Sequence, residues 1–373
     1  MKITCLETLR IAEHPNLLWV QLHTDEGLVG LGETFMGAAA VEAYVHEFAQ
    51  QKLLGQDPLA IEALNVALNS FYLGARSTGA EVRGNSAIDI ALWDLFSKAI
   101  NMPLYQALGG KVRDAIRTYN TCAGSHYIRS DASQTSQNWG IDVSQQTGFD
   151  DLGFDDLNAF LHHADELASS LLESGITAMK IWPFDTYAEQ SNGHYISSAD
   201  LNKALTPFAK IRDAVGEQMD IMVEFHSLWD LPTAIRIAEA LEPFNTFWHE
   251  DPIKMTSLKS LKRYAARSKA PVCASETLAS RWAFRDLLEQ DAAGVVMLDL
   301  SWCGGISEAK KIANMAEAWH LPVAPHDCTG PVVLTASTHL SLHLPNALIQ
   351  ESVRAFYNGW YRDLVTDLPM VQN

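Results

Sequence analysis

The chain has 373 residues, 47% hydrophobic and 19% charged, with 45 acidic against 27 basic side chains and a formal net charge of −18. That length suits a barrel plus a smaller domain, and so acidic a balance argues against a general nucleic-acid or anionic-membrane binder. A small anionic substrate remains compatible, because a bound metal or a buried lysine inverts the field locally.

The N-terminal stretch MKITCLETLRIAEHP lacks the apolar core of a secretory signal, and no apolar run approaches membrane-span length. The five cysteines (Cys5, Cys122, Cys273, Cys303, Cys328) are odd in number and none has CxxC spacing, so a reducing, cytoplasmic compartment is expected. Residues 1–12, 17–24 and 28–34 alternate apolar and polar around a turn at Asp25-Glu26-Gly27, the signature of antiparallel sheet. Helical periodicity follows over 38–53, 57–72 and 84–99, where Ile88, Ala91, Leu92, Leu95 and Phe96 share a face. Gly109-Gly110 closes this region, which reads as an α+β domain spanning 1–115.

From residue 116 short apolar runs alternate with amphipathic helices. The runs are Arg117–Ala123, Ala178–Trp182, Asp220–Phe225, Thr246–Asp251, Pro271–Thr277, Gly294–Asp299, Pro322–His326 and Ala347–Ser352. After the first run, Leu157, Leu161, Ala164, Ala168, Leu171 and Leu172 predict one helix stopped at Gly175. Before the seventh, Ser307 is the expected N-cap of a helix carrying Ala309, Ile312, Ala313 and Ala316. Eight β/α units predict an α/β, TIM-type (β/α)₈ barrel over 116–355, followed by a C-terminal segment, 356–373. A doubly wound open sheet is the structural alternative, but neither GxGxxG nor GxxxxGK[ST] occurs. Residues 124–155 and 184–198 exceed the minimal pattern. Both follow strands, so both are expected to rise from the C-terminal face as a lid or rim, unless they are plain surface loops.

Ionisable residues end seven consecutive strands: Lys180, Glu224 with His226, Glu250, Glu276, Asp299, His326 and Glu351. Strand interiors in such barrels are apolar. One charge at a strand end is ordinarily solvated or paired; seven converging on one rim need a common purpose. Glu224, Glu250 and Glu276 recur at equal intervals of 26 residues. Three carboxylates brought together repel unless protonated or metal-bound, and an all-oxygen set favours Mg²⁺. The plain alternative, separate ion pairs, needs basic partners that the strand ends do not supply. A lysine beside a dication loses its proton more readily, so Lys180 suits a base, or else it is a rim lysine reaching solvent. Asp299 lies one β/α unit before His326, and an Asp–His hydrogen bond would set the tautomer and raise basicity. Strand alternation puts Trp182 on the side of Lys180, as a pocket wall or barrel plug, and His226 on that of Glu224, as a general acid or a satisfied polar histidine.

Several of these stretches resemble one family. NSAIDIALWDLFSKAINMPLYQALGG (85–110) is similar to the last capping-domain helix of the mandelate racemase/muconate lactonising group of the enolase superfamily. HEDP (249–252), DLSWCGGISEAKKIA (299–313) and APHDCTGP (324–331) resemble its ligand strand, its strand-six Asp segment and its strand-seven His. The resemblance runs in order along nearly the whole chain. It implies an enolase-type barrel with an N-terminal capping domain, toward which the C-terminal segment returns, and a symmetric homo-oligomer. It also implies Mg²⁺ on Glu224, Glu250 and Glu276, and a small-molecule carboxylate as partner. Lys180 would be the base on one face of the α-carbon, with His326, backed by Asp299, on the other. Glu351 would hydrogen-bond the carboxylate as it becomes an enediolate. Departures are visible. Trp182 stands where the group often has a second Lys, Glu224 where an Asp is common, and Ser275 where a Gly precedes the Glu. The sequence ends at Asn373, where relatives continue into a segment completing the capping domain.

Proton abstraction beside a carboxylate leaves several outcomes open: dehydration, racemisation or epimerisation, and cycloisomerisation. Dehydration needs an acid for the departing hydroxide, which His226 or His326 would supply. A polar pocket of His14, Asn120, His226, Asp327 and Thr329 suits a hydroxylated acid, so dehydration of a sugar acid is the expected reaction. A catalytically silent metal- or sugar-acid-binding barrel, and a metal-free glycosidase using two carboxylates, are the readings from other classes.

Overall fold

The computed structural model describes residues 1–71, 77–127, 148–149, 153 and 155–372. Three strands come first, β1 (Ile3–Leu9), β2 (Leu17–Thr24) and β3 (Val29–Phe35), paired antiparallel in that order. The helix Ala80–Ala99 lies against this sheet and buries Ile88, Ala91, Leu92 and Leu95, the face that its periodicity predicts. The eight predicted runs all become strands, though shorter: β4 (Thr118–Thr121), β5 (Ala178–Ile181), β6 (Asp220–Glu224), β7 (Trp248–Glu250), β8 (Val272–Ala274), β9 (Val295–Leu298), β10 (Val323–Pro325) and β11 (Gln350–Ser352). They pair in parallel in chain order, and β11 returns to pair with β4. The seam between β10 and β11 is bridged at Val323 and Ala347. The result is an enolase-type (β/α)₈ barrel with an N-terminal domain carrying antiparallel sheet.

Alternation along the barrel strands decides what points inward. Tyr119, Ala178, Met222, Trp248, Cys273, Val295, Met297, Ala324 and Ile349 fill the barrel as one apolar cluster. Continuing each inward row toward the strand ends, two residues at a time, leads to Thr121, Lys180, Glu224, Glu250, Asp299, His326 and Glu351.

Two helix expectations are corrected. The helix predicted after β4 is two helices, Asp156–His162 and Ala164–Glu173, because His163 leaves helical dihedrals (φ −130°, ψ 43°). The apolar face continues across the break, which is why periodicity alone missed it. Ser307 does not cap its helix, Gly305–Ala318, but lies within the first turn. The capping partner is Asp89 on the N-terminal domain, which accepts from Ser307 N at 2.8 Å and from Ser307 Oγ at 2.6 Å. A Cβ at Gly305 would sit 2.5 Å from Asp89 Oδ2, so only glycine fits there. Glu33 on β3 does the same for the helix Pro331–His343, accepting from Val332 N at 3.1 Å and Val333 N at 3.0 Å. Two acidic groups of the N-terminal domain thus satisfy the exposed amides of two barrel helices and seat one domain on the other.

The stretch 184–198 forms a short helix, Asp185–Ser191, and a turn at the barrel rim. The stretch 124–155 lies largely outside the described residues. Among those described, Tyr127 packs against Trp182 with ring centroids 5.5 Å apart. The five cysteines are free, and among the described residues no helix is long and apolar enough to cross a membrane.

Candidate active site

The inward rows converge on a narrow cavity at the C-terminal mouth of the barrel. Thr121, Lys180, His226, Glu276, His326 and Glu351 line it on the polar side. Phe35, Met36, Tyr127, Trp182, Trp302 and Cys328 form the walls, the first two contributed by the N-terminal domain at the end of β3.

Glu224, Glu250 and Glu276 come together as the sequence spacing predicts, each offering one carboxylate oxygen within 4.8 Å of the others. Lys180 Nζ reaches Glu250 at 2.7 Å and Glu224 at 3.4 Å. Glu224 Oε1 accepts from the amides of Phe225 (3.0 Å) and His226 (2.7 Å), while its buried Oε2, the atom facing Lys180, accepts no hydrogen bond among the described residues. Burial pushes the Glu224 carboxyl up to about 7, against the pull of Lys180. Burial and the neighbouring Glu224 charge hold Glu250 well above the ordinary carboxylate range. Glu276 goes the other way. Burial would raise it, but the His326 imidazole outweighs that and, with Lys180 and His226, brings it down to about 2. The protein's own charges leave this oxygen cluster short of positive charge. A buried carboxylate oxygen with no hydrogen bond, beside two further carboxylates, fits a hard divalent cation such as Mg²⁺.

His326 Nδ1 lies 2.6 Å from Asp299 Oδ2, and its Nε2 lies 2.9 Å from Glu276 Oε2. Asp299 is itself fixed by the amide and hydroxyl of Ser301, both 2.6 Å from Oδ1. Glu351 accepts from Thr121 Oγ1, from Asp327 N at 2.7 Å and from Lys180 at 3.1 Å. Burial opposes ionisation of Glu351, yet Lys180 and His326 hold its carboxyl below the ordinary range. Lys180 and His326 are both held well above their usual pKa values: burial opposes their charge, but Glu250 and Glu351 prevail for Lys180, and Glu276 and Glu351 for His326. With the protein's charges alone Lys180 therefore keeps its proton; the near-neutral base expected from the sequence is a lysine beside a dication. Cationic charge on the carboxylate cluster is what would free it.

The expected substrate contacts divide. Trp182 lines the cavity, flanked by Phe160 and His226. Asn120 is the outward residue between Tyr119 and Thr121. Its side chain binds Asp156 Oδ2 at 2.8 Å and the amide of Arg354 at 2.7 Å, behind the barrel wall. His14 stacks on Trp360 at 4.3 Å between the N-terminal domain and the C-terminal segment. Asp327 and Thr329 are fully buried beyond His326 and do not line the cavity. Alternation from Tyr119 would have selected Thr121 in place of Asn120. Phe35, Met36 and Trp302 had no such signal. They meet because Thr34 Oγ1 donates to Ser301 O (3.0 Å) and Trp302 Nε1 to Phe35 O (3.1 Å), across 267 residues of sequence.

Comparison with known proteins agrees with this geometry. Residues 163–373 match the enolase C-terminal domain-like family, and residues 8–109 the mandelate racemase/muconate lactonizing enzyme N-terminal domain. D-galactonate dehydratases from Variovorax paradoxus and Xanthomonas axonopodis are 32% and 34% identical over 363 residues, which is 96% of this chain and 83% of theirs. A crystal structure of an enolase of the mandelate racemase subgroup from Agrobacterium tumefaciens is 63% identical, with a TM-score of 0.87 over 100% of this chain and 90% of that one. An enolase from Sargasso Sea environmental sequence is 43% identical, with a TM-score of 0.86 and the same coverage. The chain is an enzyme, and it belongs to the mandelate racemase/muconate lactonizing enzyme group of the enolase superfamily.

Proposed function

We propose that this enzyme is a lyase that removes the α-proton of a sugar acid and expels the β-hydroxyl as water, leaving a 2-keto-3-deoxy acid. The observation that carries this reading is the grouping of two proton-transfer sites, Lys180 and His326–Asp299, around one carboxylate cluster, with a third titratable group, His226, on the same cavity. Racemisation needs two such groups; dehydration uses a further one for the departing hydroxide. The dehydratase relatives point the same way.

Glu224, Glu250 and Glu276 would hold Mg²⁺, which when bound supplies positive charge where the substrate carboxylate becomes an enediolate. Lys180 or His326 takes the α-proton, according to which face of the α-carbon bears it. Asp299 keeps Nδ1 of His326 engaged so that Nε2 meets the substrate. Glu351 hydrogen-bonds the reacting carboxylate, for which it must carry a proton; Lys180 at 3.1 Å and His326 at 3.8 Å are placed to supply one. The aromatic walls, Tyr127, Trp182 and Trp302, offer ring faces for the C–H side of the sugar chain and exclude water from the carbanion-like centre.

The test is incubation with Mg²⁺ in D₂O against a panel of aldonic and aldaric acids, followed by NMR. Loss of the α-proton with formation of a 2-keto-3-deoxy product, abolished by EDTA, supports the reading. Epimers without a keto product would make the enzyme an isomerase.

A further inference from the structure

His226 follows β6 by two residues, but strand alternation does not place it, because β6 ends at Glu224. The backbone at His226 and Ser227 is left-handed, with φ of 47° and 58°. Non-glycine residues hold that conformation only where their surroundings impose it. Here the His226 amide donates to Glu224 Oε1 at 2.7 Å and the Ser227 amide to Asp251 O at 2.9 Å. The turn aims the imidazole across the cavity mouth, edge-on to Trp182 at 5.6 Å.

Asp185 fixes the ring. Its Oδ2 lies 2.5 Å from His226 Nδ1, and its carboxylate is fully buried, with no hydrogen-bond partner on Oδ1 among the described residues. A buried carboxylate this close to an imidazole nitrogen accepts from Nδ1–H. That leaves Nε2 on the cavity side, 3.2 Å from the Tyr127 hydroxyl. Asp185 opens the rim helix after β5, so the strand that carries Lys180 also delivers the group that orients His226. The arrangement repeats the Asp299–His326 pair at a second point on the cavity.

We propose that Asp185 is a positioning residue that holds His226 as the acid for the β-hydroxyl, separate from the groups that handle the α-proton. The inference rests on the dehydration reading above. In the step it serves, the enediolate electron pair forms the Cα–Cβ double bond as the Cβ–O bond breaks. The departing hydroxide takes the Nε2 proton of the His226 imidazolium, which holds a proton on each nitrogen, and leaves as water. The enol formed then takes a proton at Cβ and releases its O–H proton to give the keto acid, and the neutral His226 stays bound to Asp185 through Nδ1–H.

The test compares, in the full-length enzyme with Mg²⁺, the sugar acid that wild type dehydrates with its 3-deoxy-3-fluoro analogue. Fluoride leaves without protonation. Asp185→Asn is expected to lower water loss about 10²–10⁴-fold while fluoride loss and α-proton exchange in D₂O fall by less than tenfold. Recovery in Asp185→Glu on the hydroxylated acid would accord with a carboxylate requirement. Equal losses on both substrates in a variant that melts like wild type overturn the proposal and leave the dehydration reading in place. Should Asp185→Asn fail to fold, His226→Gln must show the same split between the two leaving groups, and equal losses there overturn it as well. A wild-type enzyme that dehydrates no acid in a panel of pentonates, hexonates and aldarates removes the dehydration reading and this inference together.

Discussion

The carboxylate of Glu351 stands between the two proton-transfer groups, with Oε1 3.1 Å from the Lys180 ammonium and Oε2 3.8 Å from His326 Nε2. Each oxygen also has a fixed donor on the protein, Thr121 Oγ1 and Asp327 N respectively. A glutamine at 351 keeps the shape but cannot pass a proton and leaves a buried lysine less compensated. Glu351→Gln is expected to lower kcat about 10²–10³-fold with little change in KM, the range for losing one stabiliser of developing charge. A steady-state comparison checks this, and a loss below tenfold would remove Glu351 from the transition state.

The metal prediction needs no substrate. If Glu224, Glu250 and Glu276 bind Mg²⁺ only when folded, the ion raises stability by mass action, about 2.7 kcal/mol at a free concentration 100-fold above Kd. Thermal melts of the EDTA-treated protein should shift upward by several degrees on adding Mg²⁺. Glu250→Gln should show little shift, because it neutralises a carboxylate that is wholly buried in the cluster. An equal shift in both proteins would place the bound ion elsewhere.

The inward charges were legible because parallel barrel strands are apolar on both faces, so that Lys180, Glu250 or Glu351 in such a run stands out without any alignment. Glu224 and Glu250 are register partners on adjacent strands, whereas Glu276 lies beyond the end of β8, three residues past Cys273, the partner of Glu250, so the equal spacing does not mark three equivalent positions. Alternation separates inward from outward where it applies: Thr121, two after inward Tyr119, faces the cavity, and Asn120, expected in the pocket, does not. Where the chain leaves the strand, the signal ended. Asp185 meets His226 only because a left-handed turn redirects the imidazole toward a rim helix. Phe35, Met36 and Trp302 meet only through the seating of one domain on the other, and pairing across domains has no period to read.

Asp299 and His326 give a sharper test of proton transfer than removal of the histidine. His326 Nδ1 is committed to Asp299 at 2.6 Å, so Asp299→Asn allows the ring to carry its proton on the wrong nitrogen while leaving the cavity walls intact. The variant should lose about 10²–10⁴-fold in α-proton transfer at the face served by His326, with KM nearly unchanged. Lys180→Ala should act at the other face. Measuring deuterium incorporation with each of two C2-epimeric acids separates the two. Identical losses on both epimers in both variants would sink the assignment of one base to each face.

Glu33 ties stability to pH at the domain seam. It accepts from Trp19 Nε1 at 2.6 Å and from the first amides of the helix Pro331–His343, and a Cβ on Gly330 would lie 2.2 Å from its Oε1. Burial is the largest influence on its carboxyl and outweighs those hydrogen bonds, raising it from 4.5 to about 7. Between those values the folded chain keeps a proton that the unfolded chain has released. The stability linked to that proton is fully present below the unfolded value and is lost as pH rises through about 7. Glu33→Gln does not titrate there. The stability of wild type relative to Glu33→Gln should therefore fall as pH is raised from about 5 to about 8. The fall should be at most about 3 kcal/mol, at 1.36 kcal/mol per pKa unit. Urea denaturation of both proteins at the two pH values measures it. A wild-type advantage that grows with pH would mean that the ionised carboxylate, drawn by the helix amides, is the stabilising form, and that burial does not govern Glu33.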